Sequence, residues 1–352
     1  VKKFIAAVVV VVGLGLALRY AFNRPAKPAR KPAPVAVPVV EPPPRVTSSE
    51  PQPEPQPQPT PEPTRPPPPP APPRFPNATR VSTAMEESFA VAGGVIYYCD
   101  GKSVMAEPIS GGAPKVVGEC DDAFELIADE QGVVYCSNNQ LLQITTGIAG
   151  SHVLADNVEC ILAALDDKYV YFSKPGFEGV ENPGVYRVAR GGGTPERIHA
   201  TRPKEQFMVF SEGDVLWISA WSAGTITKLP KAPGAKARTV VTAQKGIVDV
   251  AAGSSSLYWI VETSSELRRR KKPGGVIQVI GRGVDVETVR VVDDHVYWFE
   301  RAQDEQRLMH LAPGAEVAEE LATGLRMASP SLQVDSVGAY VSDLDGIYLF
   351  KR

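Results

Sequence analysis

A hydrophobic pair followed by an aromatic residue recurs along the chain, as Val95-Ile-Tyr97, Val133-Val-Tyr135, Val170-Tyr-Phe172, Val215-Leu-Trp217, Leu257-Tyr-Trp259, Val296-Tyr-Trp298 and, less perfectly, Gly338-Ala-Tyr340. The intervals are 38, 37, 45, 42, 39 and 42 residues. Each triplet follows a short strand and a turn, such as Asp166-Asp-Lys168 or Asp293-Asp-His295. After it comes a second short strand ending in a Gly-rich turn, as in Val185-Tyr-Arg-Val-Ala-Arg-Gly-Gly-Gly193, and then a closing strand such as Glu196-Arg-Ile-His-Ala200. Four short strands repeated about every 40 residues predict the blades of an all-β propeller.

The ends of the pattern give the blade count. The seventh unit stops at its third strand, Gly346-Ile-Tyr-Leu-Phe-Lys-Arg352, while Ala78-Thr-Arg-Val-Ser-Thr83 stands alone ahead of the first unit. Pairing these two removes both open edges. The expectation is seven blades over residues 79–352, closed by the N-terminal strand, with six or eight as the alternatives.

Ahead of the repeats the pattern changes twice. Phe4 to Leu18 is an unbroken apolar run behind Lys2 and Lys3. Extended to Phe22, it reaches the roughly 17–25 residues that a membrane-spanning helix needs, and one such helix is expected within residues 1–24. A cleaved signal peptide is the competing reading. A cut after Ala21, however, places Arg19 at the −3 position. Residues 25–78 then alternate Pro with Glu, Gln, Ala and Lys, and 23 of the 34 prolines lie between Pro25 and Pro76. With so few apolar residues this stretch reads as a disordered spacer following a polyproline path.

Charge separates the same regions. Residues 1–78 hold ten basic and four acidic side chains, leaving 27 basic and 36 acidic in the remainder. An acidic globular part opposes nucleic-acid binding. Basic residues flanking the apolar run favour a cytoplasmic C-terminal side. The spacer and the cysteines favour the opposite, a propeller in the periplasm on a single-pass inner-membrane anchor, or a secreted protein if the signal is cleaved.

The triplets, together with Ala164-Leu-Asp-Asp-Lys-Tyr-Val-Tyr-Phe172, Gly193-Thr-Pro195 and Gly224-Thr-Ile-Thr-Lys-Leu-Pro230, resemble the YWTD/NHL/TolB-like group of bacterial envelope β-propellers. This resemblance covers about 79–352 and implies the fold, since such rings serve enzymes and binding modules alike. Residues 1–78 resemble, by composition, the anchor and Pro-rich stretch of TonB-type energy transducers.

Candidate chemistry is sparse. Cys99 and Cys136 each follow the aromatic of their blade, and Cys120 and Cys160 each follow a Glu near the end of that blade. The symmetric pairing is Cys99 with Cys120 and Cys136 with Cys160, with free thiols as the alternative. A metal would need a tighter cluster or flanking His. His152, His199, His295 and His310 read as solvated residues of different blades. The acidic pairs Asp121-Asp122, Asp166-Asp167 and Asp293-Asp294 read as hairpin turns. Ser342-Asp-Leu-Asp-Gly346 resembles the Asp-box of sialidases but lacks its terminal Thr-Trp. Arg268-Arg-Arg-Lys-Lys272 reads as an anionic-ligand patch or, more simply, as a charged guard on a solvated edge strand.

No residue is assigned as catalytic, and no metal or cofactor is expected. Propeller ligands meet the face made by turns between the second and third strands and by blade-to-blade connections. There Phe177, Glu178, Trp221, Glu262 and Arg301 are the candidate contact residues, aromatic beside charged as contact patches are. The plainer reading packs Trp221 over its own blade edge. The function expected is a non-enzymatic scaffold binding an envelope protein or a cell-wall component, attached to the membrane through its N-terminal helix. The alternative is a lactonase-like or glycan-cleaving hydrolase working at the central channel.

Overall fold

The computed structural model describes residues 74–352 except 87, 122, 124, 149, 159, 175, 177–180, 284–287, 303–304 and 327–330. The expected anchor and nearly all of the spacer, together with Phe177 and Glu178, therefore lie outside the described residues. Among the described residues no helix is long and apolar enough to cross a membrane.

The chain opens with β1 (Thr79–Ser82) and then builds blade 1 from β2 (Phe89–Ala92), β3 (Val95–Cys99), β4 (Ser103–Pro108) and β5 (Lys115–Glu119). Blade 2 is β6 (Leu126–Asp129), β7 (Gly132–Ser137), β8 (Gln140–Thr145) and β9 (His152–Ala155). Blade 3 is β10 (Ile161–Leu165), β11 (Tyr169–Lys174), β12 (Gly184–Ala189) and β13 (Glu196–Ala200). Blade 4 is β14 (Phe207–Glu212), β15 (Val215–Ala220), β16 (Thr225–Pro230) and β17 (Arg238–Val241). Blade 5 is β18 (Ile247–Ala252), β19 (Ser256–Val261), β20 (Glu266–Lys271) and β21 (Ile277–Arg282). Blade 6 is β22 (Val289–Val292), β23 (His295–Ala302), β24 (Glu305–Leu311) and β25 (Glu319–Leu325). Blade 7 takes β26 (Leu332–Val334), β27 (Gly338–Asp343) and β28 (Gly346–Lys351), and its outer place is filled by β1. The sheet order β1-β28-β27-β26 is the clasp expected from the sequence, with Thr79 opposite Leu349 and Ser82 opposite Ile347.

The recurring triplet has a packing cause. The second strand of each blade is covered on both faces by neighbouring blades, so it reads as a continuous apolar run rather than as alternation. Val133, Val134 and Tyr135 are all fully buried, as are Val296, Tyr297 and Trp298. The aromatic tips need polar partners once buried. Tyr135 donates to the Glu119 carbonyl at 2.6 Å, Trp217 Nε1 to Glu212 at 3.1 Å, and Trp298 Nε1 to Glu300 at 2.9 Å.

Turn chemistry also follows the sequence. Asp293 and Asp294 both adopt positive φ, at 48° and 60°. A two-residue hairpin turn of type I′ requires that conformation at both central positions. Asp166 accepts the amides of Lys168 and Tyr169 at 2.9 and 2.8 Å. Carboxylates favour local bends of this kind. One regularity is absent from any sequence motif. In every blade the pairing of third and fourth strands slips near its start, as between Val104 and Met105, Val185 and Tyr186, or Leu267 and Arg268. Such bulges increase the local twist of the outer strand.

Candidate functional site

The turns joining second to third strands and the connections between blades lie at one end of the ring, here called the loop face. Both disulfides are found there. Cys99–Cys120 and Cys136–Cys160 each tie the end of a second strand to the connection entering the next blade, with Cα–Cα distances of 6.3 Å. Such bonds point to an oxidising compartment.

The loop face brings two of the five candidate residues together. Trp221 opens the turn after β15, and Glu262 opens the turn after β19, one blade on. Trp221 Nε1 donates to Glu262 Oε2 at 3.1 Å. Trp221 thus reaches across to the neighbouring blade. Backbone bonds brace the pair: Gly246 N to the Trp221 carbonyl at 3.0 Å, and Glu262 N to the Gly246 carbonyl at 2.9 Å. Gly246 has φ +85°, and a Cβ there would lie 2.8 Å from the Thr263 methyl. The connection therefore needs glycine. Trp221 is half-buried and Glu262 exposed. Arg301, exposed near the end of β23, belongs to the same face, and its amide meets the Gly283 carbonyl at 3.3 Å.

The basic run is built into the ring instead of forming a patch. Its strand β20 is covered by β21, so it is not an edge, and the guard reading is corrected on that point. Arg268 binds Glu266 and Gln244, Arg269 binds Gln278, and Arg270 donates to the Val240 and Gly275 carbonyls. Lys272 Nζ meets both oxygens of Glu212 at 2.9 and 2.6 Å and the Gly253 carbonyl at 2.7 Å, above the Trp217 ring. Three of these side chains clamp blade 5 onto blade 4. Only Lys271 of the run is exposed.

The histidines also depart from expectation. His295 and His310 share blade 6, where their rings stack with centroids 5.0 Å apart and Nδ1 of the first lies 2.8 Å from Nε2 of the second. His310 is buried, and its Nδ1 lies 2.7 Å from Glu319 Oε1. Burial, then the facing His310 and Arg352, hold the His295 imidazole below its ordinary pKa. Antiparallel pairing of β23 with β24 is what brings residues 15 apart into contact. Among the described residues no trio of His, Cys, Asp or Glu is arranged to hold a metal.

Among the described residues, the innermost strands carry one buried charge, which no sequence motif marks. Asp249 sits at a bulge in β18 and accepts Val250 N at 2.9 Å, Val289 N at 2.7 Å and Arg290 Nη1 at 3.0 Å. Two of these partners belong to β22 of the next blade. Burial pushes the Asp249 carboxyl up to about 6, with Arg290 and the two amides pulling the other way. None of the four His lies on an innermost strand.

The segment resembling an Asp-box closes the ring seam. Asp343 is fully buried and receives Arg74 Nη1 and the Arg326 amide, the latter at 2.7 Å. Arg74 Nη2 also donates to the Gly324 carbonyl, and Asn77 Nδ2 donates to that of Leu321 at 2.6 Å. Phe75 is 4% exposed and stands edge-on to Tyr348 at 4.9 Å. Residues 74–78 thus strap blade 6 to blade 7 just before β1.

This ring is a seven-bladed β-propeller, and the comparisons agree on the fold. Virginiamycin B lyase from Staphylococcus aureus is similar at 12% identity, covering 77% of this chain and 97% of its own, with a TM-score of 0.60. A streptogramin B lyase matches at 10% identity, 77% and 96% coverage and TM-score 0.59. YCF48 bound to D1 peptide matches at 10% identity, 77% and 95% coverage and TM-score 0.53. No protein-family model and no curated protein matches the sequence. Identities this low carry the architecture alone.

Proposed function

We propose that the protein is a non-enzymatic binding module of the bacterial envelope. Residues 1–24 anchor it in the inner membrane, residues 25–78, less the strap at 74–78, space it from the bilayer, and the propeller works in the periplasm. Its loop face engages another envelope protein or a cell-wall component. The observation that carries the reading is the Trp221–Glu262 pair, an aromatic and a carboxylate held ready across two blades by backbone bonds. Contact energy in protein interfaces concentrates in such pre-set aromatic anchors beside polar groups. The oxidising compartment in which disulfides persist supports the location. YCF48, of similar fold, holds a peptide. Phe177, Glu178 and Arg301 complete the proposed contact face.

The test is crosslinking in the native envelope with the full chain, a Trp221→Ala/Glu262→Arg variant, and a chain lacking 174–183. One stoichiometric partner captured by the first and lost from the second supports the reading. A partner retained by both altered chains moves the contact off this face. Release of modified glycan by the unaltered chain would replace binding with hydrolysis.

A further inference from the structure

We propose a second docking surface, independent of the loop face: the outer edge of blade 5 accepts an extended peptide strand with an aliphatic centre and acidic ends. Outer strands of a propeller leave one row of backbone donors and acceptors unpaired, and proteins guard such edges with charge or cover. Six of the seven outer strands here open on an ionisable side chain. Arg80, Lys115, His152, Glu196, Arg238 and Glu319 each stand at the first or second position of their strand. On blade 6 the strap adds cover, with Asn77 and Arg74 bonded to the carbonyls of Leu321 and Gly324.

β21 breaks the rule. It reads Ile-Gln-Val-Ile-Gly-Arg, carries no charge before its last residue, and is the terminal strand of its sheet. Val276, just ahead of it, is 84% exposed, and Ile277 and Val279 are each 38% exposed. Beside it, between blades 5 and 6, lies a groove of about 330 Å³ lined by Val279, Ile280, Arg282, Glu300, Met309 and Ala318. Gly281 is part of its wall, and a Cβ there would lie 2.9 Å from Glu300 and 3.2 Å from the Trp298 indole nitrogen. Exposed Val317 extends the apolar surface on the blade 6 side.

Charge selects the occupant. The aliphatic stretch is bracketed by exposed cations, Lys271 at the end of β20 opposite the start of β21, and Arg282 at the end of β21, whose Nη1 meets Glu266 Oε1 at 3.1 Å while the side chain stays 76% exposed. Glu300 is already engaged by Trp298. That carboxylate, on the groove wall, disfavours an acid at the groove centre and leaves the two strand ends for it. An added strand would take its main-chain bonds from β21, place alternate aliphatic side chains on Ile277, Val279 and the groove, and set Asp or Glu against Lys271 and Arg282. At ~3.4 Å per residue, about six residues span the edge.

A display library of random twelve-residue peptides, selected on the full chain and counter-selected on Ile277→Lys, tests this. The expected winners alternate aliphatic residues between flanking Asp or Glu. They should bind at least ten-fold more weakly to Arg282→Glu, weaken with salt, and slow hydrogen exchange of β21 amides. Unchanged melting of the two variants establishes that they fold. Winners without acidic residues, equal binding to Arg282→Glu, or failure to enrich any peptide dependent on β21 each overturn the proposal. So does a concentration-dependent dimer lost in Ile277→Lys, which would give the edge to a second copy of the chain. None of these readouts involves Trp221 or Glu262, so the loop-face reading stands or falls separately.

Discussion

Asp249 is buried where blade 5 meets blade 6, bonded to the Val289 amide and to Arg290. An aspartate carboxyl titrates near 4 in an unfolded chain. In the fold, burial pushes that of Asp249 up to about 6. Between those values the folded state holds the proton more tightly, so this residue's contribution to stability falls as pH rises from about 4 to about 6. The gap corresponds to roughly 3 kcal/mol. Asp249→Asn keeps an acceptor for the Val289 amide but cannot ionise. Urea unfolding at pH 4.5 and 7 should show the stability difference moving in favour of the variant as pH rises, and a difference independent of pH sinks the assignment. Lys272 makes the converse case. Lys272 Nζ lies 2.6 Å from Glu212 Oε2, and both side chains are partly buried. Lys272→Met should cost about 1–2 kcal/mol by leaving that carboxylate without its cation, a loss that denaturant unfolding would read. Flotation on anionic vesicles should not change, because Lys272 and the run's arginines are already bonded within the ring. The partners of these residues were not legible in the sequence. A lone Asp in an apolar stretch and a string of cations carry no periodicity, and their partners lie one blade away.

Strands and turns were legible, and the reason is burial. A strand enclosed on both faces must be apolar at successive positions, so Val133-Val-Tyr135 and its equivalents announce themselves. The cysteines were legible because two successive blades repeat their placement. Cys99→Ser/Cys120→Ser should lower stability by about 3 kcal/mol, measurable by denaturant unfolding without reductant. The strap was hidden by composition, since Arg74-Phe-Pro-Asn-Ala78 continues a Pro-rich stretch. Phe75 packs against both Tyr348 and Phe350. Phe75→Ala should cost about 3–4 kcal/mol by emptying that space, and a loss under about 1 kcal/mol would mean the strap is not a structural element. The pairing of His295 with His310 was missed because both were read as isolated positions when β23 and β24 are adjacent strands.

At the scale of the molecule, the seventh blade draws on both ends of the folded region: β1 begins at Thr79 and its partner β28 ends at Lys351. A ribosome releases β1 long before the strand that completes it. Blades 1 to 6 have all their strands as they emerge, while β1 waits through nearly the whole synthesis of the propeller, an open edge with no partner. The entropy of joining ends so far apart grows only as the logarithm of the loop, but contacts this distant in sequence slow the search. Moving residues 74–82 behind Arg352, joined by a short Gly-Ser turn to follow β28, would make blade 7 local like the rest. Such a permutant should refold faster than the natural order, by tryptophan fluorescence, while reaching the same ring. The natural order keeps the last stitch until the seventh blade has been made, so that a ring cut short in synthesis stays open.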